Sequence, residues 1–342
     1  MAIRMAVIGC GYWGPNLIRN FHDEPRAVVR CICDINPARL EAIGRRFPAV
    51  RLARDYGKVL ADKKVDAVVV ATPVETHFPI AQAALKAGKH VLIEKPLTDS
   101  SATARKLIAL AAKQHRVLMV DHTFLFTSAV QKMKEIVNSG ELGEIYYIDS
   151  VRVNLGLFQH DINVVWDLGP HDISIANYIL GHSPQRVSAV GASHISQKIE
   201  DVAYVTLYYP DRLLAHFHVN WLAPVKIRQM LVGGSKKMLL WNDIEPSEKI
   251  KVYDSGVTVR PLADGRPDKG DIYKTLIQYR TGDMRAPRLE NVEALSRVVS
   301  HFIDCIETGH KPITDGEVGL NVIRVLEAAD RSIKNRGEAV HL

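Results

Sequence analysis

The sequence predicts an α/β protein with two domains: a doubly wound parallel sheet over residues 1–121, and an α+β domain with an open, mostly antiparallel sheet over residues 122–342. Three observations support this prediction. Apolar strand patterns alternate with helical patterns through the first domain, a glycine-rich turn follows the first strand, and beyond about residue 143 consecutive strand patterns replace the alternation.

The elements of the first domain alternate along the chain, and strands separated by helices form a parallel sheet covered on both faces. Pro37 suits the first turn of a helix, and Gly88 suits the end of another. The predicted strands are 4–8, 27–33, 66–71, 89–93 and 117–120, and the predicted helices are 14–22, 37–46, 79–87 and 100–114.

A glycine-rich turn joins the first strand to the first helix and reads Gly9-Cys10-Gly11-Tyr12-Trp13-Gly14. In a dinucleotide-binding turn, the first glycine permits a tight turn, the second lets the backbone approach a pyrophosphate, and the third lets the helix pack on the strand. By itself the pattern also fits an ordinary strand–turn–helix connection. Its position between a strand and a helix favours a Rossmann dinucleotide site that includes Tyr12 and Trp13.

Asp34 ends the second strand, at the distance from the glycine turn that a ribose-binding carboxylate requires. Such a carboxylate accepts hydrogen bonds from the ribose hydroxyls of NAD and repels the 2′-phosphate of NADP, so the sequence predicts NAD as the cofactor. Thr72, Pro73 and His77 follow the third strand, and the ligand lies beyond the carboxyl ends of such strands. For His77, a polar residue at the start of a helix is an equally good interpretation.

Glu94 and Lys95 come directly after the fourth strand, where the nicotinamide end of the cofactor is expected. A lysine at this place can donate a hydrogen bond to a substrate oxygen and stabilise its charge. The alternative is a solvated salt pair at the end of a strand. We predict that both residues contact the cofactor and that Lys95 also binds the substrate.

Several motifs, in the order in which they occur, make the chain similar to the Gfo/Idh/MocA oxidoreductases. They are the glycine turn, Ala71-Thr72-Pro73, the run 84–91 and Glu94-Lys95-Pro96. The resemblance implies a nicotinamide-dependent enzyme that acts on a sugar, a cyclitol or a nucleotide sugar. It also implies that Lys95 touches the reacting hydroxyl group and that the peptide bond before Pro96 is cis.

The second domain, residues 122–342, is predicted to bind substrate and to form the oligomer. Side chains that alternate along 202–207 indicate a sheet covered on one face by helices and on the other by a second subunit. We therefore expect a homo-oligomer, a dimer or a tetramer, which the resemblance also implies. The stretch 254–282 is predicted to be a long connection. The predicted helices are 128–138, 163–180, 289–308 and 317–335, and the predicted strands are 144–154, 184–195, 201–209, 212–221, 226–233 and 236–241.

Asp167 and His171 stand four residues apart near the start of a predicted helix, with Pro170 placed as a first helical residue. Residues at this spacing share a helix face, so the aspartate can orient a histidine that accepts the proton of an alcohol. A capping aspartate beside an incidental histidine explains the spacing equally well. The family's aspartate–histidine pair matches these residues, and the resemblance therefore implies a catalytic trio of Lys95, Asp167 and His171.

Other polar residues are weaker candidates for the substrate site. Arg152 and Asn154 share one face of a strand, where they either bind a hydroxyl or carboxylate group or are exposed edge residues. His122 stands at the junction of the two predicted domains. His216 and His218 are two apart on a strand, but no third ligand has suitable spacing. We interpret them as sheet-face residues and predict no metal site.

The composition argues against several classes of protein. The net charge of +6 is spread along the chain, which disfavours a nucleic-acid partner. No apolar run approaches the roughly 20 residues that span a bilayer, and the first strand leaves no room for a signal peptide. We therefore expect a cytoplasmic protein without a membrane partner. The four cysteines suggest neither a disulfide framework nor a zinc site.

Taken with the resemblance, the sequence predicts an NAD-dependent dehydrogenase that oxidises a secondary hydroxyl group of a sugar. The runs 279–283 and 301–304 are similar to family members from nucleotide-sugar pathways, and favour the UDP-N-acetylglucosamine 3-dehydrogenase group. Three alternatives remain: an inositol or free-sugar dehydrogenase, an enzyme that uses NAD transiently in glycoside cleavage, and a non-catalytic dinucleotide-binding regulator. The presence of the whole trio argues against the regulator.

Overall fold

The structure, a computed structural model, describes residues 2–342 except 157, 160, 161, 197 and 260–276. Much of the predicted connection 254–282 thus lies outside the described residues. Two compact units are present: Met1–Thr127 with Asn291–Glu327, and Ser128–Glu290 with Ala328–Leu342.

The first unit contains a parallel sheet in which every pair of neighbouring strands is parallel. Its order, β3-β2-β1-β4-β5-β6, reverses direction between β1 and β4, as in a doubly wound dinucleotide-binding sheet. The inner strands are continuous apolar runs because helices cover both faces. The strands are β1 (Ile3–Ile8), β2 (Ala27–Cys33), β3 (Arg51–Ala53), β4 (Ala67–Val70), β5 (His90–Glu94) and β6 (Leu118–Asp121).

The helices of this unit start where local capping signals predict. The side chain of Asn36 accepts hydrogen bonds from the backbone of Ala38 and Arg39, and that of Ser100 accepts one from Thr103. One start is earlier than predicted, because Pro79 lies inside a helix rather than at its beginning. The helices are α1 (Gly14–Asp23), α2 (Pro37–Arg46), α3 (Tyr56–Leu60), α4 (Val74–Lys86) and α5 (Ser101–Gln114).

The second unit is built on a larger sheet, with the order β16-β13-β12-β11-β7-β10-β9-β8-β17. Neighbouring strands are antiparallel except β7 and β10, which are parallel, so the predicted mostly antiparallel sheet is confirmed. β14 and β15 form a separate antiparallel pair that shares no strand pairing with this sheet. The elements are α6 (Ser128–Asn138), β7 (Ile145–Leu155), α7 (Val164–Leu180), β8 (Arg186–Ala192), β9 (Val202–Tyr208), β10 (Leu214–Asn220), β11 (Leu222–Gly234), β12 (Met238–Asn242), β13 (Ile250–Tyr253), β14 (Gly256–Val259), β15 (Ile277–Arg280), β16 (Met284–Arg285) and β17 (Val340–His341).

Two long helices near the end of the chain are α8 (Ala294–Thr308) and α9 (Gly316–Lys334). The sequence places both in the second domain, but α8 and the first part of α9 belong to the first unit. The reason is packing against α1: the rings of Phe21 and Phe302 meet edge to face, with centroids 6.3 Å apart. None of the helices in the described ranges is both long and apolar enough to cross a bilayer.

The two faces of the larger sheet differ in what covers them. Ala203 and Val205 are buried on the face against which α7 packs. On the opposite face Tyr204 is 42% exposed, and its ring stacks on those of His218 and His216 at centroid distances of 4.5 and 6.0 Å. The two histidines are thus sheet-face residues, as predicted. A second subunit on this face stays a prediction.

Candidate active site

The glycine turn after β1 has a geometry that only glycine permits at two of its positions. Gly9 has a φ of +103°, and a Cβ atom there would lie 2.2 Å from the carbonyl oxygen of Ala71. A Cβ atom on Gly14 would lie 2.2 Å from the carbonyl oxygen of Gly9. At Gly11 the nearest heavy atom would be 4.0 Å away, so open space lies before this backbone. The open backbone of this turn fits the pyrophosphate of a dinucleotide.

Asp34 is buried at the end of β2 and holds the glycine turn in place. Its Oδ2 accepts a hydrogen bond of 2.6 Å from the backbone of Cys10, and its Oδ1 accepts one of 2.8 Å from the backbone of Asn36. Burial raises the pKa of the Cys10 thiol to about 12, so this cysteine is a protonated packing residue. Carboxylate oxygens can accept more than one hydrogen bond, and the predicted ribose contact therefore stays open to Asp34.

Exposed side chains surround the open middle of the turn. Tyr12 is 77% exposed and Trp13 43%, and their rings meet edge to face at 5.5 Å. The guanidinium group of Arg39, on α2, is the group 4.0 Å from the Cβ position of Gly11. Sequence reasoning missed this arginine, because its only signal is a position five residues after Asp34. A cation there suits a phosphate-bearing ligand.

We expect the substitution Asp34→Ala to raise the dissociation constant of NAD by about tenfold or more, since charge-assisted hydrogen bonds to the ribose would be lost. The dissociation constant of NADP should rise less, because the repulsion of its 2′-phosphate is lost as well. Isothermal titration with both cofactors measures the two changes, and Asp34→Asn serves as a control that can keep one backbone contact. Equal losses for NAD and NADP would refute the ribose contact.

His77 connects the segments that follow β4 and β5. Its ring is 1% exposed; Nδ1 lies 2.9 Å from the carbonyl oxygen of Pro96, and Nε2 lies 2.8 Å from that of Thr72. Burial lowers the pKa of His77. The structure contradicts a direct hydrogen bond from this ring to a cofactor, because backbone oxygens face both nitrogens. Thr72 and Pro73 stay candidates, since they are only partly covered after β4.

Lys95 follows the last residue of β5, and the peptide bond between Lys95 and Pro96 is cis, as the resemblance implies. The backbone N–H of Lys95 donates to Oε2 of Glu94 at 3.3 Å. Glu94 is buried, whereas Lys95 is half-buried. The lysine is therefore the more accessible of the two, and the cofactor contacts predicted for both residues stay predictions.

Two further polar groups lie at the end of the neighbouring strand, β6. Asp121 is 1% exposed, and burial raises its pKa to about 6. His122 is also 1% exposed; burial, with a smaller effect of the charge of Lys95, lowers its pKa to about 3 and keeps the ring neutral. Neither ring nitrogen of His122 has a hydrogen-bond partner among the described residues. His122 thus stays a candidate for substrate contact, while sequence reasoning missed Asp121.

In the second unit, α7 carries Asp167 and His171 four residues apart. The side chain of Asn163 caps this helix through hydrogen bonds of 3.1 Å to the backbone of residues 165 and 166. The interpretation of Asp167 as the capping residue is therefore wrong, and Pro170 lies inside the helix rather than at its first position. Oδ2 of Asp167 accepts a hydrogen bond of 3.1 Å from the indole of Trp221. The pairing of Asp167 with His171 stays a prediction.

Arg152 is not the exposed edge residue that one interpretation of its sequence position gives, and its contact with a substrate stays a prediction. It lies on β7, an inner strand, and is 2% exposed rather than an exposed edge residue. Its Nε and Nη2 donate to the two carboxylate oxygens of Asp172 at 2.9 and 2.8 Å. This buried pair ties α7 to the sheet next to His171, which makes a structural role the simplest one for Arg152. Asn154 is half-buried and stays a substrate candidate.

Each unit therefore gathers part of the predicted site. In the first unit the glycine turn, Asp34, Thr72, Lys95 and His122 follow the carboxyl ends of β1, β2, β4, β5 and β6. These ends form one edge of a parallel sheet, which is where such sheets bind ligands. In the second unit, α7 carries Asp167 in its first turn and His171 about one turn later.

Comparison with known proteins gives two matches to family models. Residues 3–122 match an oxidoreductase family with an NAD-binding Rossmann fold. Residues 130–240 match the GFO/IDH/MocA C-terminal domain.

Relatives of known activity cover almost the whole chain. A myo-inositol 2-dehydrogenase from Thermotoga maritima is 25% identical, over 98% of this chain and 97% of the relative. A UDP-N-acetylglucosamine 3-dehydrogenase from Acidithiobacillus ferrooxidans is 27% identical, over 94% of each chain. Among solved structures, a protein from Magnetospirillum magnetotacticum MS-1 has a TM-score of 0.80 at 29% identity, and the match covers 96% of this chain and 99% of that one.

Proposed function

Since this chain belongs to the Gfo/Idh/MocA family of NAD-dependent oxidoreductases, we propose that it oxidises a secondary hydroxyl group of a sugar to a ketone. The substrate we propose is a nucleotide sugar, a UDP-N-acetylhexosamine, oxidised at C3. The observation that carries the proposal is the position of Lys95: a half-buried ammonium group at the carboxyl end of β5, on the sheet edge that holds the glycine turn.

The reaction needs a proton acceptor, a group that polarises the hydroxyl, and a hydride acceptor. Lys95 donates a hydrogen bond to the hydroxyl oxygen and stabilises the negative charge that develops there. His171 accepts the hydroxyl proton, and Asp167 stabilises the imidazolium that forms. Bound NAD supplies the hydride acceptor, C4 of its nicotinamide. The electron pair of the C–H bond would leave with the hydride, and the O–H proton would leave through His171. The products are a keto-sugar, NADH and a proton.

The contacts of α7 suit this role for Asp167. The indole N–H of Trp221 fixes Oδ2 of the carboxylate, and Trp221 itself is fully buried. The hydrogen bond holds the Asp167 carboxyl group in a fixed orientation, which suits a residue that stabilises an imidazolium on the same helix.

Similarity to two dehydrogenases supports two substrates. The likeness to the UDP-N-acetylglucosamine 3-dehydrogenase agrees with the nucleotide-sugar features of the sequence and with a basic chain, net charge +6. The likeness to the myo-inositol 2-dehydrogenase is of similar extent and favours a cyclitol as the second candidate. A diphosphate needs cations that an inositol does not, so substrate competition by UDP distinguishes the two.

The proposal is tested by reduction of NAD with UDP-N-acetylglucosamine, UDP-glucose, glucose and myo-inositol, with enzyme in stoichiometric amount so that a tightly held cofactor is also detected. We expect kcat/KM to be at least about tenfold higher for UDP-N-acetylglucosamine than for the free sugars. A higher value for myo-inositol would move the assignment to the cyclitol. Reduction with none of the four would overturn the proposal, and release of UDP or a free sugar without net NADH would indicate glycoside cleavage.

A further inference from the structure

Two buried carboxyl groups end neighbouring strands next to Lys95. Glu94 is the last residue of β5 and Asp121 the last of β6, and they are paired in the register of these parallel strands. Adjacent strands are about 4.8 Å apart, and paired residues of parallel strands extend from the same face of the sheet. Both side chains are buried, with exposures of 9% and 1%.

The contacts of the two carboxyl groups leave one oxygen unsatisfied. Oδ1 of Asp121 accepts a hydrogen bond of 2.7 Å from the hydroxyl of Thr123, and Oε2 of Glu94 accepts the backbone N–H of Lys95. Within the described part of the chain, Oδ2 of Asp121 has no hydrogen-bond partner. A buried acceptor without a donor is costly, and a protonated Glu94, the register partner of Asp121 on the next strand, is the neighbouring group that can supply one.

Few other charged groups act on this pair. Lys95 follows Glu94, and its charge favours the ionised carboxylate. The ring of His122, next to Asp121, is kept neutral by burial and by Lys95. Neighbouring carboxyl groups in a buried place are not both ionised, because each raises the proton affinity of the other.

We propose that Glu94 and Asp121 share a single proton and together present one negative charge to Lys95, which makes them positioning residues for the lysine that polarises the substrate. This inference rests on the proposed function for the role of Lys95 alone. Asp121 is the ionised member, because the Thr123 hydroxyl already donates to it, and Glu94 donates its proton to Oδ2 of Asp121.

The direction of the pKa shifts agrees with this assignment. Burial raises the pKa of Asp121 to about 6, so it is ionised at neutral pH. Burial, and after it the charge of Asp121, raises the pKa of Glu94 well above its ordinary value. The two groups titrate as a unit, and at neutral pH the unit carries one charge.

Three amide variants separate the charge of the pair from its shape: Glu94→Gln, Asp121→Asn and the double variant. Each single variant keeps one carboxylate and replaces the shared proton with an amide N–H donor. Only the double variant removes the charge. We expect kcat/KM to fall less than about tenfold in each single variant. In the double variant, the loss of kcat/KM should exceed the product of the two single losses by more than about tenfold. If the loss of kcat/KM in the double variant equals the product of the two single losses, the proposal is overturned.

Thermal unfolding without NAD or substrate gives a second result that does not depend on any reaction. Carboxyl groups with raised pKa values in the folded state hold protons that the unfolded chain releases, so they lower stability as the pH rises from about 4 through those values. The double variant, which lacks them, should have a higher Tm than the wild type, with a difference that grows between about pH 5 and pH 8. The exposed Glu75→Gln is the control for loss of one acidic group and should show no such difference.

A double variant that melts below the wild type at every pH would show that the pair is only a structural contact, and would overturn the proposal. If the double variant melts at a higher temperature than the wild type but the wild type oxidises none of the tested sugars, the shared proton is supported and the proposed function is refuted. The two failures are therefore distinguishable.

Discussion

We expect Lys95→Ala and His171→Ala each to lower kcat by about 10²–10⁴-fold, the usual contribution of a positioned acid–base group. In Lys95→Ala the developing oxyanion loses the ammonium group that stabilises it. In His171→Ala the hydroxyl proton has no acceptor better than water. Steady-state kinetics with the best nucleotide sugar measures both effects, and a separate titration with NAD establishes that the variants still bind the cofactor.

Two exposed residues serve as matched controls for these variants. Lys86→Ala removes a lysine from the end of α4, and His182→Ala removes a histidine just after α7. Both controls should retain kcat within about twofold, because surface substitutions rarely change stability or geometry. Near-normal turnover in Lys95→Ala or His171→Ala with the true substrate would remove that residue from the proposed mechanism.

The glycine turn should respond to alanine in two distinct ways. Gly9→Ala should strongly destabilise the fold, because the new Cβ atom meets a backbone oxygen at 2.2 Å and the φ of +103° disfavours any side chain. Gly11→Ala should leave the Tm almost unchanged, because the space before it is open. The same methyl group occupies the place a pyrophosphate needs, so the dissociation constant of NAD should rise by about tenfold or more.

Thermal unfolding and NAD titration of the two variants separate folding from cofactor binding. Gly88→Ala is the control, since its φ of +72° is also positive but no atom lies nearer than 3.9 Å to the new Cβ atom. It should cost about 1 kcal/mol, clearly less than Gly9→Ala. If Gly11→Ala bound NAD as tightly as the wild type, the turn would not be the phosphate site.

The sequence predicts the first sheet well because its strands carry their signal locally. β4 is a continuous buried run, and turn residues bound it. β3 and α3 escape prediction because they are short and partly exposed. The parallel pairing of β7 with β10 cannot be read locally either, since it depends on residues far apart in the sequence.

The candidate site shows the same limit. Asp34 and Lys95 could be predicted because each follows an apolar strand at a position that favours ligand contact. Asp121 also stands at the end of an apolar strand, but its importance depends on Glu94, a partner on the neighbouring strand. The burial of Arg152 could not be predicted for a similar reason, because its carboxylate partner lies twenty residues away on α7. Local patterns locate polar groups, and only the fold pairs them.

The most direct measurement of the central claim follows the hydrogen atom that leaves the substrate. UDP-N-acetylglucosamine deuterated at C3 is incubated for a single turnover with the enzyme in excess and NAD, and the nicotinamide is analysed by mass spectrometry. We expect one deuterium in the reduced cofactor and a 3-keto sugar in equal amount. Reduced cofactor without deuterium, or no reduction at all, would contradict the proposed oxidation at C3.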